Sequence, residues 1–333
     1  MTWLALQSLR TRWSRALTAI VGASIAISIA FVLQGVTQGF QAETDRTLGE
    51  LGNHFLVPAG VSSLISGRID QSVAPEGTSP IVFSRDALPE QNVDVNLFGV
   101  EPDSMNLIAG RSFSAPNELV IDTSAKLKLG DVVTLGGRDV EVVGLMTGIR
   151  VYGGGPVAFL SNSDIQEIYY DSGTVASAFT SDVAVEPPEG LQILSAADAK
   201  IDLDRAVQGA ISTIILTRTL LWIMVAGVVF ILNRLNLLDR RPELATLKCL
   251  GISGWAIGAS LIFESILVGV LGGVCGCLAG LAISPLFPLA IESSWTSAGQ
   301  IVGLSAAVSL LSAIIGTLQL RRVAPSDAFR GET

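Results

Sequence analysis

RRPELATLKCLGIS, residues 240–253, is a short charged stretch held between two long apolar runs, and its reading decides how the chain is laid out. ISTIILTRTLLWIMVAGVVFILN (211–233) precedes it, and a second apolar run from about Ile257 to Ile283 follows. Within the stretch, Pro242 suits the first turn of a helix, Glu243 favours its N-terminus and Lys248 its C-terminus, and Gly251 can end it. Arg240 and Arg241 open it with the positive charge that short loops keep on the cytoplasmic side of a membrane.

Working outward, the totals agree with membrane residence. The 333 residues are 49% hydrophobic and 15% charged, with a mean hydropathy of +0.55, too apolar for an ordinary soluble protein of this length. Ala16 to Gly39 contains no charge, and those 24 residues exceed the hydrocarbon core, which is roughly 30 Å thick and crossed at roughly 1.5 Å per residue. A cleaved signal peptide fits less well, because the run is too long and a cut after Ala42 would put bulky Phe40 where a small residue is wanted. We expect an interfacial helix at 1–15, which mixes Trp3 and Trp13 with Arg10, Arg12 and Arg15, and a first span at 16–42. The second span falls at 208–234, a loop at 235–256, the third span at 257–283, an outer loop at 284–299, the fourth span at 300–320 and a tail at 321–333. The N-terminal flank and the tail carry three basic residues each, the 234–248 segment four and the 284–299 loop none. Both termini and the 240–253 stretch are therefore expected in the cytoplasm.

Residues 43–207 are a different polymer, rich in Gly, Pro, Ser and Asp, with ten Lys and Arg against 24 Asp and Glu. Short β-type runs at 93–100, 118–122, 131–135 and 139–145 predict a folded, acidic, mixed α/β domain outside the membrane. A short helix is expected at 124–129 and another over SDIQEIYY (163–170), with Ser163 as its capping residue. From about Asp198 the helical period runs without a break into 211–233, predicting one rod that enters the membrane from outside. The fold class is thus a multi-pass α-helical membrane protein with four transmembrane helices and an α/β extracytoplasmic domain between helices one and two.

Several chemistries are excluded or left without support. Lys126, Lys128, Lys200 and Lys248 are followed by Leu, Leu, Ile and Cys, so none belongs to a phosphate-binding loop, which needs Lys then Ser or Thr. The net charge of −9 and the lack of a basic-aromatic stripe argue against nucleic acid. One histidine, His54, cannot build a multi-histidine zinc site, and Cys275 and Cys277 sit two apart on an apolar helix, so no metal is expected. Two charges fall inside spans: Arg218, suited to an anionic cargo group or to snorkelling outward, and Glu264, suited to steadying the loop. Gly269 with Gly273, and Gly272 with Gly276 and Gly280, have the spacing that lets helices approach closely, either within one chain or between two copies.

RRPELATLKCLGIS, with its Leu-Gly-Ile-Ser end, resembles the cytoplasmic motif of the FtsX-like, MacB-type permeases of ABC transporters. The order of one span, an outer domain and three spans, and the ending RRVAPSDAFRGE, resemble the same family, so the likeness covers nearly the whole chain. QGVTQGFQAE (34–43), GNHFLVPAG (52–60), VNLFGVEPDS (95–104) and GLMTGIRVYGGGPVAFLSNSDIQEI (144–168) are similar to its smaller-ectodomain branch, which includes HrtB-type haem exporters and DevC-type glycolipid exporters. The resemblance implies a permease of a bacterial inner membrane that is not itself an enzyme. It would work as a homodimer among membrane lipids, with two copies of a separate ATPase subunit. Arg240, Arg241, Glu243, Leu247, Lys248, Leu250 and Gly251 would form the docking element for that ATPase. The implied cargo is an amphipathic molecule, with haem the leading candidate and no resident cofactor. Tyr152 and Glu43, as oxygen ligands suited to ferric haem, Arg218 and His54 are its candidate contacts. Lipid, glycolipid or lipoprotein export, and force transmission to a cell-wall hydrolase or sensor, remain the alternatives.

Overall fold

The structure is a computed structural model that describes residues 13–101, 105–171, 173–181, 183, 185–205, 207–239, 246–247, 249–286, 291–292 and 294–320. The chain divides into a helical unit, Met1–Gln38 with Ser212–Thr333, and an α/β unit, Gly39–Ile211.

In the helical unit, α1 begins at Trp13 and belongs to a helix recorded over Trp13–Leu51, α4 spans Gln208–Asp239, α5 Gly254–Ile283 and α6 Trp295–Leu320. All four are long and apolar enough to cross a membrane. Their packing is built on small residues. A Cβ placed on Gly269 would lie 2.2 Å from Oγ of Ser309 and 3.0 Å from the carbonyl oxygen of Ser305, and one on Gly273 would lie 2.5 Å from Oγ of Ser305. That row seats α5 on α6. The second row faces α1: Gly276 meets Ile27 at 2.7 Å and Gly280 meets Phe31 at 2.7 Å. Polar bonds cross both seams, from the Ser305 hydroxyl to the Gly269 carbonyl at 2.8 Å and from the Ser24 hydroxyl to the Gly272 carbonyl at 3.2 Å. In hydrocarbon, where apolar burial between helices gains little, close backbone approach and such bonds supply the cohesion. Both glycine rows are thus used within one chain. Cys277 lies buried while Cys275 is exposed, on different faces of α5.

The α/β unit is a mixed sheet of eleven strands among the described residues, running from β13 (Leu191–Leu194) through β1, β12, β3, β4, β10, β6 and β8 to β5 (Ala109–Gly110), with β7 (Val132–Leu135) on β8 and β9 on β10, beside a separate pair of β2 (Ile69–Asp70) and β11 (Val175–Ala176). The strands that matter below are β1 (His54–Pro58), β3 (Ser79–Leu88), β4 (Val93–Val100), β6 (Glu118–Asp122), β8 (Arg138–Met146), β9 (Arg150–Val151), β10 (Gly155–Ser161) and β12 (Ala178–Ser181). Pairings β4–β10 and β6–β8 are parallel and the other pairings of these strands antiparallel. Both faces are covered, which is why β6, ELVID, is buried at every position instead of alternating. One face packs Phe55, Phe98 and Phe159 with Leu48 and Leu51 of α1 and with Ala199 and Leu203 of α3 (Ala196–Arg205). The other packs Leu97, Ile121 and Val142 with Ile165 of α2 (Asn162–Tyr169).

Three expectations are corrected here. The rod entering the membrane is broken, because α3 stops at Arg205 and α4 starts at Gln208, with the Val207 amide donating to the Asp204 carbonyl in the turn between them. The predicted helix at 124–129 is a single 3-10 turn over Thr123–Ala125, ended by Lys126 in the left-handed region at φ 60°. The cap of α2 is Ser161, whose hydroxyl accepts from the Asp164 amide at 3.1 Å, while Ser163 lies inside the helix.

Candidate functional site

The described part of the 240–253 stretch ends as Gly251 suggests. Gly251 has φ +85°, the Ile252 amide donates to the Leu247 carbonyl at 3.1 Å, and the Leu250 amide donates to the Thr246 carbonyl at 3.0 Å. A six-to-one bond around a left-handed glycine closes a helix by satisfying carbonyls that would otherwise be orphaned, usually with an apolar contact across the turn. Here Leu247 and Ile252 make that contact against Ile257 and Leu261. Ser253 then caps α5, its hydroxyl accepting from the Ala256 amide at 3.3 Å. Leu250 is left 74% exposed and Trp255 78% exposed. Arg240, Arg241, Glu243 and Lys248 lie outside the described residues.

Glu43, by contrast, is enclosed. It belongs to the part of α1 that enters the α/β unit, is 2% exposed, and its Oε1 accepts from Nη1 of Arg150 at 2.8 Å. Arg150, on β9, also donates through Nε to Oδ1 of Asp122 at 2.9 Å. Asp122 is fully buried at the end of β6 and accepts from the amides of Ile149 and Ser124 at 2.9 and 2.8 Å. The Thr47 hydroxyl donates to the Arg150 carbonyl at 3.0 Å. One guanidinium thus bridges two buried carboxylates, as the planar fork of arginine allows. Oε2 of Glu43 is buried with no hydrogen-bond partner.

Two residues on from Arg150, the β9–β10 hairpin turns through Tyr152, Gly153 and Gly154 at φ 55°, 77° and 108°. A left-handed tyrosine is uncommon and is held by its surroundings. Its ring packs into the aromatic core, its hydroxyl is buried without a partner, and burial, helped by the Asp202 charge, raises its pKa to about 12. Gly153 approaches Phe40 and Val207, where a Cβ would meet Val207 at 3.1 Å. At Gly153 the hairpin therefore approaches α1 beside Phe40, three residues before Glu43. His54 is half-buried at the start of β1, opposite Ser181 of β12, and Arg218 and Glu264 are half-buried on α4 and α5 of the helical unit. Arg150 is the residue that sequence reasoning missed, because its two partners lie 107 and 28 positions away and leave no local pattern.

Comparison with known proteins adds the following. Residues 16–208 match the model of the MacB-like periplasmic core domain, and residues 215–325 that of the FtsX-like permease C-terminal domain. An uncharacterized ABC transporter permease of Mycobacterium tuberculosis is 27% identical over 351 residues, covering 99% of this chain and all of that one, and a Mycobacterium bovis permease matches to the same extent. A second M. tuberculosis ABC transporter permease is 26% identical over the same span. Among solved structures, the periplasmic region of MacB from Actinobacillus actinomycetemcomitans aligns over 45% of this chain and 92% of its own, at 15% identity and a TM-score of 0.34.

Proposed function

We propose, from the premise that the chain belongs to the MacB/FtsX-type ABC transporter permeases, that it extrudes an amphipathic molecule from the outer leaflet, driven by a separate ATPase. Haem is the leading cargo. Two copies of the chain work with two ATPase subunits in a bacterial plasma membrane, with both termini and the 246–253 turn in the cytoplasm. The observation that carries the coupling reading is the Gly251-closed turn, which holds Leu250 outward at 74% exposure on a rigid base. On this reading Leu250 offers an apolar side chain to a partner's pocket, and the exposed Trp255 five residues on is of a type enriched among interface anchors.

ATP binding would close the ATPase pair, press on the two turns and tilt α1 and α4. Because α1 carries Glu43, its tilt would load the Arg150 bridge and with it the hairpin that bears Tyr152. Glu43 and Tyr152 are enclosed in this conformation, so either can meet a cargo group only when the hairpin and α1 part. Arg218 would attract an anionic cargo group such as a propionate or a phosphate.

The test uses the permease purified with its ATPase. Leu250→Asp and Glu243→Arg should abolish cargo-stimulated ATP hydrolysis with the fold intact, and unaltered stimulation would refute the coupling reading. Haem titration should give a saturable Soret shift that is lost in Tyr152→Phe or Glu43→Gln. With no shift and no stimulation, the cargo moves to a lipid, glycolipid or lipoprotein, or the function to force transmission.

A further inference from the structure

Next to Glu43 on α1, Thr44 and Asp45 are both bonded to α3. Oγ1 of Thr44 lies 2.9 Å from Oδ1 of Asp204, and Nζ of Lys200 donates to Oδ2 of Asp45 at 2.6 Å. Asp204 also holds the turn between α3 and α4, where its carbonyl accepts from the Val207 amide at 3.0 Å. The contact at Thr44 is one hydrogen short. Thr44 is 2% exposed, and its hydroxyl has two acceptors in reach, Oδ1 of Asp204 at 2.9 Å and the Phe40 carbonyl at 3.1 Å, whereas a hydroxyl donates one hydrogen. Asp204 is half-buried, and burial is the largest influence on its carboxyl, raising its pKa; the Thr44 bond and Lys200 oppose that rise and Asp45 adds to it. The other charges on the two helices are engaged elsewhere or exposed. Glu43 and Arg46 act on the Arg150 bridge, Asp202 accepts from the Ser63 hydroxyl and the Leu64 amide, and Arg205 is exposed. The β9–β10 hairpin meets Val207 through the uncharged Gly153.

We propose that Asp204 is a proton-binding site that pins α1 to the end of α3. The protonated carboxyl donates to Oγ1 of Thr44, and Thr44 gives its own hydrogen to the Phe40 carbonyl, so each acceptor in the row is served. When the two helices part, the carboxyl meets water, its pKa returns to the ordinary value of 3.8 and the proton leaves. Proton binding and the pinned state therefore favour each other. The contribution is fully present below the ordinary pKa and is lost as pH rises through the raised value of the pinned state. The proposal is independent of the efflux reading and of the cargo.

The experiment is hydrogen–deuterium exchange of the full-length permease in detergent, followed at the Val207 amide from mildly alkaline to mildly acidic pH, with labelling times scaled for the intrinsic exchange rate. Corrected protection should rise as pH falls, by up to about tenfold per pH unit, the limit for one proton. Asp204→Asn, whose side-chain amide donates to Thr44 without a titrating proton, should keep the protection and lose its pH dependence. Asp45→Asn, at a side chain 57% exposed, removes a charge that favours the proton and frees Lys200 to oppose it, so the rise should move to lower pH. A melting curve of each variant establishes that it is folded, and if Asp204→Asn is not, Asp45→Asn decides alone. Protection independent of pH in the wild type, a pH dependence that survives Asp204→Asn, or one that stays in place in Asp45→Asn would overturn the proposal.

Discussion

Gly276→Ala should destabilise the helical unit, whereas Gly303→Ala should not, although both place the same methyl group on a transmembrane helix. At Gly276 a Cβ would lie 2.7 and 2.8 Å from Cγ2 and Cβ of Ile27 and 3.1 Å from the carbonyl oxygen of Ser24. Ile27 cannot swing away, because a β-branched side chain in a helix has one strongly preferred rotamer, and the Ser24 carbonyl is backbone. Helices α1 and α5 must move apart, and overpacking of this kind costs about 1–3 kcal/mol. Alanine recovers up to about 1 kcal/mol of helix propensity, leaving a net loss of up to about 2 kcal/mol. At Gly303 of α6 nothing lies within 4 Å of an added Cβ, so the propensity gain of up to about 1 kcal/mol stands uncontested. Because the propensity gain is common to both, the two variants should differ by the overpacking cost, about 1–3 kcal/mol, a factor of roughly 5–150 in the unfolding equilibrium. Denaturation of the full permease in mixed micelles by increasing SDS measures that difference, and repeating it at several dilutions separates stability of the chain from association of two copies. If Gly276→Ala is as stable as Gly303→Ala, or loses stability only on dilution, the row does not seat α5 on α1 and its role lies between copies.

Arg150→Met should cost about 3–5 kcal/mol, because it strands the buried carboxylates of Glu43 and Asp122. Adding Glu43→Gln should recover part of that loss, and strict additivity in the double-mutant cycle would refute the bridge. Glu118 accepts from Nη1 of Arg111 at 2.7 Å and from the amides of Ser114 and Ala115 at 2.9 and 3.1 Å; the Arg111 bond comes first among the causes that lower its pKa to about 2. Since the folded pKa lies below the unfolded value near 4.5, its stabilisation is complete above pH 4.5 and is lost as pH falls towards 2. Glu118→Gln should weaken the site by about 1–3 kcal/mol and flatten that acid dependence. Hydrogen exchange at the Ser114 and Ala115 amides reads both effects, and unchanged protection in the variant would count against them. Gly251→Ala should unwind the turn before α5 at a cost of about 1 kcal/mol, since φ +85° strains any residue with a Cβ. ATPase stimulation should fall with it, and full stimulation would separate coupling from the turn's geometry.

What the sequence makes legible and what it hides divide along the range of the interactions. The four long apolar helices follow from runs that a bilayer demands, and the strands at 93–100 and 118–122 from local patterns. The closure at Gly251 is likewise local, a glycine after a helical turn. By contrast, β3 is a ten-residue strand, SPIVFSRDAL, whose proline, serines and charges conceal it, and its antiparallel pairings with β12 over Ser79–Ile81 and with β4 over Val82–Leu88 explain it. The break between Arg205 and Gln208 interrupts a good helical period, because α3 is committed to the sheet through Ala199 and Leu203 while α4 starts afresh.

The charge cluster makes the same point in the currency of function. Read alone, Glu43 at the end of an apolar run is a lone carboxylate, and Tyr152 in a glycine-rich turn is an accessible phenol; both then look like ligands. Folded, the carboxylate is bound by Arg150 and the phenol is turned into the core. A buried ion pair of this kind contributes little net stability over an apolar substitute, yet breaking it is costly. That asymmetry suits a joint that must hold one geometry under load better than it suits a resting cargo site. Of the candidate ligands, Glu43 is thus, in the structure, fastened to the β9–β10 hairpin through Arg150, while Tyr152 on that hairpin lies against the core. Any cargo that uses Glu43 must first undo that fastening, and the Arg150→Met/Glu43→Gln cycle measures what that opening costs.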